Sequence, residues 1–383
     1  MAGKNKVVPK VKSTTSRWIG GGLVLFCVCW FLMIVSDYLF HHPYYSQTIA
    51  QFRYWGLLGG LAAILGGTYV VLLGLPFKKS KRKGIRINGL KIYLLFLLLL
   101  NIVVAWYGMS NNLFEASPLT HLLYFNGFNF LLHLAVFYIV TVGYALGESL
   151  LHPFNAYLSS FSQKLLAIPV GWSLIVLLMM LLGLIQVLTP WVLWPLLLLI
   201  SIWKIRSIGR FSRAVVWDTW PAWKPKIQGV LALAILLIFT AVNAIGTIKA
   251  FPVGFDGAGL YLNITQLISE YHTLPAGGQA FNWSVFMSLG ELLFGSTAIA
   301  ILLSSLMGIF CFLTVYAVAR LFVSISNSLL AAALFYTAPF ITFHNMYDEK
   351  VDLGFLFISL STLLLLLEFY QKKGDVSAKE KDK

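Results

Sequence analysis

Apolar residues along this chain fall in long unbroken runs. Runs near the roughly 20 residues that a helix needs to cross a bilayer occupy residues 18–39, 54–75, 92–109 and 122–146. A fused run covers 165–203, interrupted at Thr189-Pro190, and further runs cover 227–248, 297–319, 329–343 and 351–369. The period-two alternation of a transmembrane barrel strand is missing from them. The pattern predicts an all-α polytopic membrane protein. The fused run reads either as one over-long tilted helix or as a tight two-helix hairpin.

Charge separates the two readings. Taken as a hairpin, the run brings the total to about ten spans and puts both termini on one side. The N-terminus then shares its side with loops 76–91, 147–164, 204–226 and 320–328 and with the C-terminal tail. Those segments hold 25 of the 28 Lys and Arg residues, leaving Arg53, Lys249 and Lys350 opposite. A single helix would move Lys204, Arg206, Arg210, Arg213, Lys224 and Lys226 across the membrane, against the bias of short cytoplasmic loops toward Lys and Arg. The expectation is therefore ten spans in the plasma (inner) membrane, with both termini cytoplasmic. Composition agrees. Of 383 residues, 59% are apolar and 11% charged, where a soluble domain carries ~25% charged residues.

This sorting also accounts for the formal net charge of +14, so nucleic acid is not an expected partner. The basic stretch from Lys78 to Lys83 has no interleaved aromatics for stacking bases and suits an anionic lipid surface. Cys27, Cys29 and Cys311 lie inside apolar runs and form no disulfide or zinc pattern. The first span follows Lys4, Lys6, Lys10, Lys12 and Arg17 and reads as a retained anchor, because no small-residue cleavage site follows it. Gly56, Gly59, Gly60, Gly66 and Gly67 in the second span suit close helix packing. No phosphate loop, dinucleotide fingerprint or zinc-protease motif occurs.

Polar residues divide the chain in two. In the first six spans the inward candidates are Asp37, Asn126, Asn129 and His133, the last three sharing one face of the fourth span. Hydrogen bonding between helices explains them more simply than an ion path, since no carboxylate accompanies them. Beyond residue 248 the outer segment carries two amphipathic stretches. In one, Leu260, Ile264, Leu267, Ile268 and Tyr271 share a face; the other holds Trp283, Phe286, Met287, Gly290 and Phe294. Both are expected to be interfacial helices lying at the headgroup level. Eight acids face outward: Asp37, Glu115, Asp256, Glu270, Glu291, Asp348, Glu349 and Asp352. Carboxylates near lipid are costly unless paired, hydrated or metal-bound.

Three features of residues 227–371 carry a family resemblance. The first is Pro252 ending a span, with Gly254-Phe255-Asp256 just outside and Leu260-Tyr261-Leu262 following. The second is Phe281-Asn282-Trp283 leading to Leu289-Gly290-Glu291-Leu292-Leu293-Phe294-Gly295. The third is Lys350-Val351-Asp352-Leu353 opening a Leu-rich span. In their order and membrane side these segments resemble the N-terminal part of the C-type superfamily (GT-C) of integral-membrane glycosyltransferases, of the bacterial type that uses polyprenyl-phosphate sugars. The resemblance implies a GT-C-like fold in the C-terminal part and three regions: a six-helix membrane region at 1–226, the partial module at 227–371 and a polar cytoplasmic tail at 372–383. That tail is expected to be disordered.

The resemblance further implies transfer of a sugar from a lipid-linked donor, at the outer face, to an envelope glycan or lipid. Asp256 takes the place of the catalytic base, Asp348, Asp352, Lys350 and His344 are candidates for donor or substrate binding, and Asp352 and Asp348 for a divalent metal ion. A carboxylate that accepts a hydroxyl proton fits that reaction, and a cation offsets the charge gathering on the departing phosphate. Other readings of the same residues stand beside these. Asp256 suits an N-cap, Asp348 and Glu349 a solvated loop with Lys350 as partner, Asp352 the positive end of a helix and His344 an interfacial polar position. The later family helices, which supply basic residues around the lipid phosphate, are not matched, so a second polytopic subunit is expected to complete the site. The alternatives are a non-catalytic scaffold of envelope polysaccharide assembly or a truncated inactive relative. A transporter ranks last, because the spans are nearly free of charge.

The topology can be checked by cysteine labelling of intact cells. A cysteine at position 276 is expected to react with an impermeant reagent and one at 215 to stay protected. The reverse pattern rejects the assigned sidedness.

Overall fold

Apolar runs leave no water to satisfy the backbone, so the chain satisfies its own N–H and C=O groups within helices. The computed structural model describes residues 29–30, 33, 88–110, 118–218, 227–248, 257–275, 281–346 and 351–381. The chain divides into two units, Met1–Phe52 and Arg53–Lys383. In the first, Cys29, Trp30 and Met33 are helical and exposed. All that follows concerns the second.

Its described residues are all-helical, without strands. In chain order the helices are α1 (Gly89–Ser110), α2 (Pro118–Leu151), α3 (Ser160–Leu184), α4 (Pro190–Trp203), α5 (Ile205–Val216), α6 (Ile227–Ile248), α7 (Leu262–Tyr271), α8 (Phe281–Phe294), α9 (Thr297–Arg320), α10 (Ile325–Tyr336), α11 (Pro339–Met346) and α12 (Asp352–Lys381). Among the described residues, four segments are long and apolar enough to cross a membrane: Phe125–Phe154, Ser160–Leu184, Thr297–Arg320 and Asp352–Lys372. The protein is an integral membrane protein on this ground. The fused run divides as a hairpin, with Gln186 at φ 58° in its turn and Pro190 opening α4 where its missing N–H costs nothing. α4 is short and meets α5 at a bend of 79°. Of the remaining expected spans, those at 92–109, 227–248 and 329–343 correspond to shorter apolar helices. Residues 54–75, and 18–39 apart from three positions, lie outside the described residues.

The tightest packing joins α2 to α3. A Cβ on Gly147 would lie 1.8 Å from the Ala167 carbonyl oxygen, and one on Gly171 would lie 1.7 Å from that of Gly143. Backbone meets backbone here, as small residues at four-residue spacing allow. Gly143 also makes room for Trp172, whose Nε1 donates to the Ile139 carbonyl at 3.3 Å. Trp172 then touches Phe286 of α8 and Phe310 of α9, with centroids 4.9 and 5.4 Å away, and Phe310 stacks on Phe357 of α12 at 5.2 Å. One aromatic chain thus ties four helices together.

Two expectations need correction. α8 does not lie on the bundle surface with one face toward lipid, since it is buried from Trp283 to Gly290, against α3, α4, α7 and α9. The polar positions within that buried stretch are the small Ser284 and Ser288, so it is close to apolar all round, while Asn282 and Glu291 near its ends stay more open. The stretch after residue 371, expected to be disordered, continues α12 as helix to Lys381. The Lys372 amine donates to the Ala156 carbonyl at 3.1 Å and holds its start to the loop before α3.

The polar side chains of the early spans bond to their neighbours. Asn101 and Asn126 exchange amide hydrogen bonds between α1 and α2, both 2.8 Å. His133 Nδ1 lies 3.2 Å from the Tyr93 hydroxyl, and Asn129 donates to the Phe125 carbonyl of its own helix.

Gly147→Ala is expected to destabilise the protein by about 1–3 kcal/mol, as overpacking of a tight contact does, and to lower its unfolding temperature in detergent. Gly127→Ala, where an added Cβ meets nothing within 4 Å, is the matched control. Equal behaviour of the two removes the seam from the account of stability.

Candidate functional site

The ends of the bundle differ in charge. Lys91, Lys164, Lys204, Arg206, Arg210, Arg213, Arg320 and Lys372 are the basic side chains described, and all lie toward one end. Contacts between helix termini establish this. Asn88 Nδ2 donates to the Trp217 carbonyl at 3.4 Å, the Lys204 amine donates to Ser149 Oγ at 2.7 Å, and the ring of Phe161 meets that of Tyr316 at 5.8 Å. At the same end Glu368 is buried against the first turn of α3. Its carboxylate accepts from the Ser159 N–H at 2.6 Å, Ser159 Oγ at 3.0 Å and Ser162 Oγ at 2.5 Å. Ser159 Oγ also accepts from the Ser162 N–H, capping the helix. The anion suits the positive end of α3.

The opposite end is formed by the turn after α3 and the segments around α7 and α8. Thr273 Oγ1 donates to the Gly183 carbonyl at 3.4 Å, and Trp194 Nε1 donates to the Leu293 carbonyl at 2.8 Å. The family resemblance assigns its candidate residues to the outer face. Asp256, Asp348 and Lys350 lie outside the described residues. His344 is in α11, which packs on α6, α9 and α12.

Asp352 opens α12 and is exposed. Its setting follows from its neighbours. The Leu353 carbonyl accepts from Cys311 Sγ at 3.4 Å, and Cys311 lies past the midpoint of α9. The head of α12 therefore sits within the length of the bundle, below the start of α9. One residue on, Gly354 faces Trp283 so closely that a Cβ would fall 2.5 Å from the indole. The next residue of α8, Ser284, contacts the turn Gly257–Tyr261, which follows Asp256 directly. Ser284 Oγ donates to the Tyr261 carbonyl and Thr265 Oγ1 donates to the Ser284 carbonyl, each at 3.4 Å. Two adjacent residues of α8 thus bridge the segment after Asp256 and the segment after Asp352. Gly257 is buried, so the chain leaves Asp256 into packed structure.

Glu291, one of the outward acids, accepts from Thr297 Oγ1 at 2.5 Å across the turn into α9, where Gly295 takes φ +58°. Glu270 is exposed on α7. Among the described residues no three His, Cys, Asp or Glu side chains gather to hold a metal ion. Asp352 is the one expected metal ligand among them, so the metal expectation gains no donor set here. Sequence reasoning also passed over a second polar group, in which Glu148 meets Tyr144, Ser207 and Arg210 at the basic end. Its signal was the helical spacing of Ser207 and Phe211 against Arg206, Arg210 and Arg213 in a segment taken for loop.

No family model, curated protein or solved structure matches the chain.

Cross-linking tests whether the two aspartates converge. With Cys27, Cys29 and Cys311 replaced by Ala, a cysteine pair at positions 256 and 352 is expected to be joined by a reagent spanning about 10 Å, the reach of a shared ion with one bridging group. A pair at 270 and 352 should react less. No 256–352 product at that length removes the case for a common cleft.

Proposed function

We propose that this chain is a plasma-membrane glycosyltransferase, or a subunit of one, that moves a sugar from a polyprenyl-phosphate donor to an envelope glycan or lipid. The reading includes a GT-C-like arrangement after residue 226, ten spans and cytoplasmic termini. The observation that supports it most is the placement of Asp352. A carboxylate exposed within the length of a membrane bundle is costly against lipid and stable beside a wet or polar cleft. The packing of the segment after Asp256 onto Ser284, next to the Trp283 that meets Gly354, supports a cleft shared by both aspartates. The sorting of basic side chains to one end supports the sidedness, in which this cleft belongs to the outer half.

In this reading Asp256 accepts the proton of the acceptor hydroxyl as its oxygen bonds to the anomeric carbon. The bond from that carbon to the donor phosphate oxygen breaks, and the phosphate leaves with the electron pair. Asp352 orients the acceptor or donor beside it. His344, Lys350 and Asp348 belong to the surrounding loop, and no step runs through a metal ion. A second polytopic subunit with outward Arg would supply the positive charge that Lys249 and Lys350 alone provide in this region. The lipid-facing row Phe355, Ile358, Leu363 and Leu366 of α12 is a surface on which it could seat.

A non-catalytic scaffold of envelope assembly is the second reading. It is favoured by the use of Glu368 and Glu291 in helix capping and turn closure, which are structural tasks.

Incorporation of labelled sugar from a polyprenyl-phosphate donor, measured in membranes containing the chain and its co-purifying partners, separates the two. Asp256→Asn is expected to lower incorporation by about 10²–10⁴-fold, the usual contribution of a general base. Asp352→Asn should lower it too, and Glu270→Gln should leave it intact. Full activity in both aspartate variants supports the scaffold and rejects the enzyme.

A further inference from the structure

At the basic end, the elbow between α4 and α5 overhangs a cavity of about 800 Å³. α5 is held in place by one face. Its Phe211 is buried and stacks on Tyr144 of α2 with centroids 4.1 Å apart, and Ser207 Oγ donates to Glu148. Four residues of α2 and its continuation, Glu148, Ser149, His152 and Asn155, form one wall. Lys204, Arg206 and Arg210 line the other.

The charge is unbalanced. Three permanent cations meet one carboxylate. Arg210 lies 3.3 Å from Glu148, so that pair is close to neutral. The Lys204 amine is held by Ser149 and stands 3.8 Å over the Trp203 ring. Neither partner cancels its charge. Arg206 is exposed and has no carboxylate partner among the described residues. Lys204 and Arg206 therefore direct net positive charge at the cavity, to which His152 and Asn155 add hydrogen-bond donors.

The rim is apolar. Ile202, Trp203 and Ile205 are 67%, 71% and 64% exposed and continue into the exposed Leu198 and Leu199 of α4. A free anion would use the cations and leave this strip unexplained. A molecule with a phosphate at one end and hydrocarbon at the other uses both. Trp203 at such a boundary matches the headgroup level of a bilayer, and basic pockets between membrane helices suit anionic headgroups. We propose that the elbow is a binding site for an anionic phospholipid, its phosphate held by Lys204 and Arg206 and its acyl chains lying along α4. The inference is independent of the glycosyl-transfer reading.

Native mass spectrometry of the full chain in detergent, titrated with phosphatidylglycerol or phosphatidylcholine, tests it. Phosphatidylglycerol is expected to bind more tightly. Arg206→Gln should weaken it about fivefold, the effect of one cation at a lipid surface, and Arg206→Lys should restore much of the loss. Among the described residues Arg206 has no side-chain hydrogen bond or ion pair, and an unchanged unfolding temperature verifies that the fold does not depend on it. Lys91→Gln removes the same charge from the same end outside the cavity and should change nothing. Equal binding of the two lipids overturns the proposal. So does an equal loss in Lys91→Gln, which would mean diffuse surface charge. Displacement of the lipid by millimolar inorganic phosphate would make the cavity a free-anion site and likewise overturn it.

Discussion

The close approach of α2 and α3 is the constraint on which the rest of the bundle depends. Lipid offers no hydrophobic drive between helices, so association rests on packing and hydrogen bonds. Gly143, Gly147 and Gly171 let two backbones touch. The hollow at Gly143 receives Trp172, and its position fixes where Phe286, Phe310 and Phe357 can stack. Through those rings the seam determines that α8 is a buried helix. A buried α8 in turn presents Trp283 to Gly354 and Ser284 to Tyr261, so adjacent residues of one helix contact the segments that follow the candidate aspartates.

The carboxylates at the basic end work as fasteners. Glu368 accepts three hydrogen bonds at the start of α3 and joins the last helix to the third. Glu148 joins α2 to α5 through Ser207 and Arg210. A buried charge such as that of Glu368 is tolerated when it is bonded, and the partly exposed Glu148 is likewise bonded by groups on another helix. In the opposite half Glu291 is bonded to Thr297, but Asp352 is left exposed at the head of α12. That contrast, satisfied carboxylates at one end and an open one in the other half, gives the two halves different chemical characters.

Part of this was legible from residues alone. The runs at 92–109, 122–146 and 297–319 lie within described long helices, although α12 continues well past the run expected to end at 369, and Thr189-Pro190 marked the hairpin break because proline cannot sit in a helix interior without losing a bond. The sorting of Lys and Arg gave the basic end. Asn126, Asn129 and His133 read as bonded side chains because nothing ionisable accompanied them. α5 and α8 were misread for the same reason. Both are segments whose surroundings are set by distant helices, and periodicity reports which face is apolar, not what covers it.

The candidate site divides along that line. Sequence alone showed acids in two short segments, at Asp256 and at 348–352, whose common side is an expectation from span count and charge bias. It also determined the membrane class, because unbroken apolar runs have no other solvent. Tertiary structure decided the depth of Asp352, the bridge through Trp283 and Ser284, and the cavity beneath the α4–α5 elbow. Each depends on contacts between residues far apart in the chain, such as Gly354 with Trp283 or Ser207 with Glu148. The hydropathy of a segment is a sum over its own residues, whereas a site is a relation between segments, and that relation is set by how the helices pack.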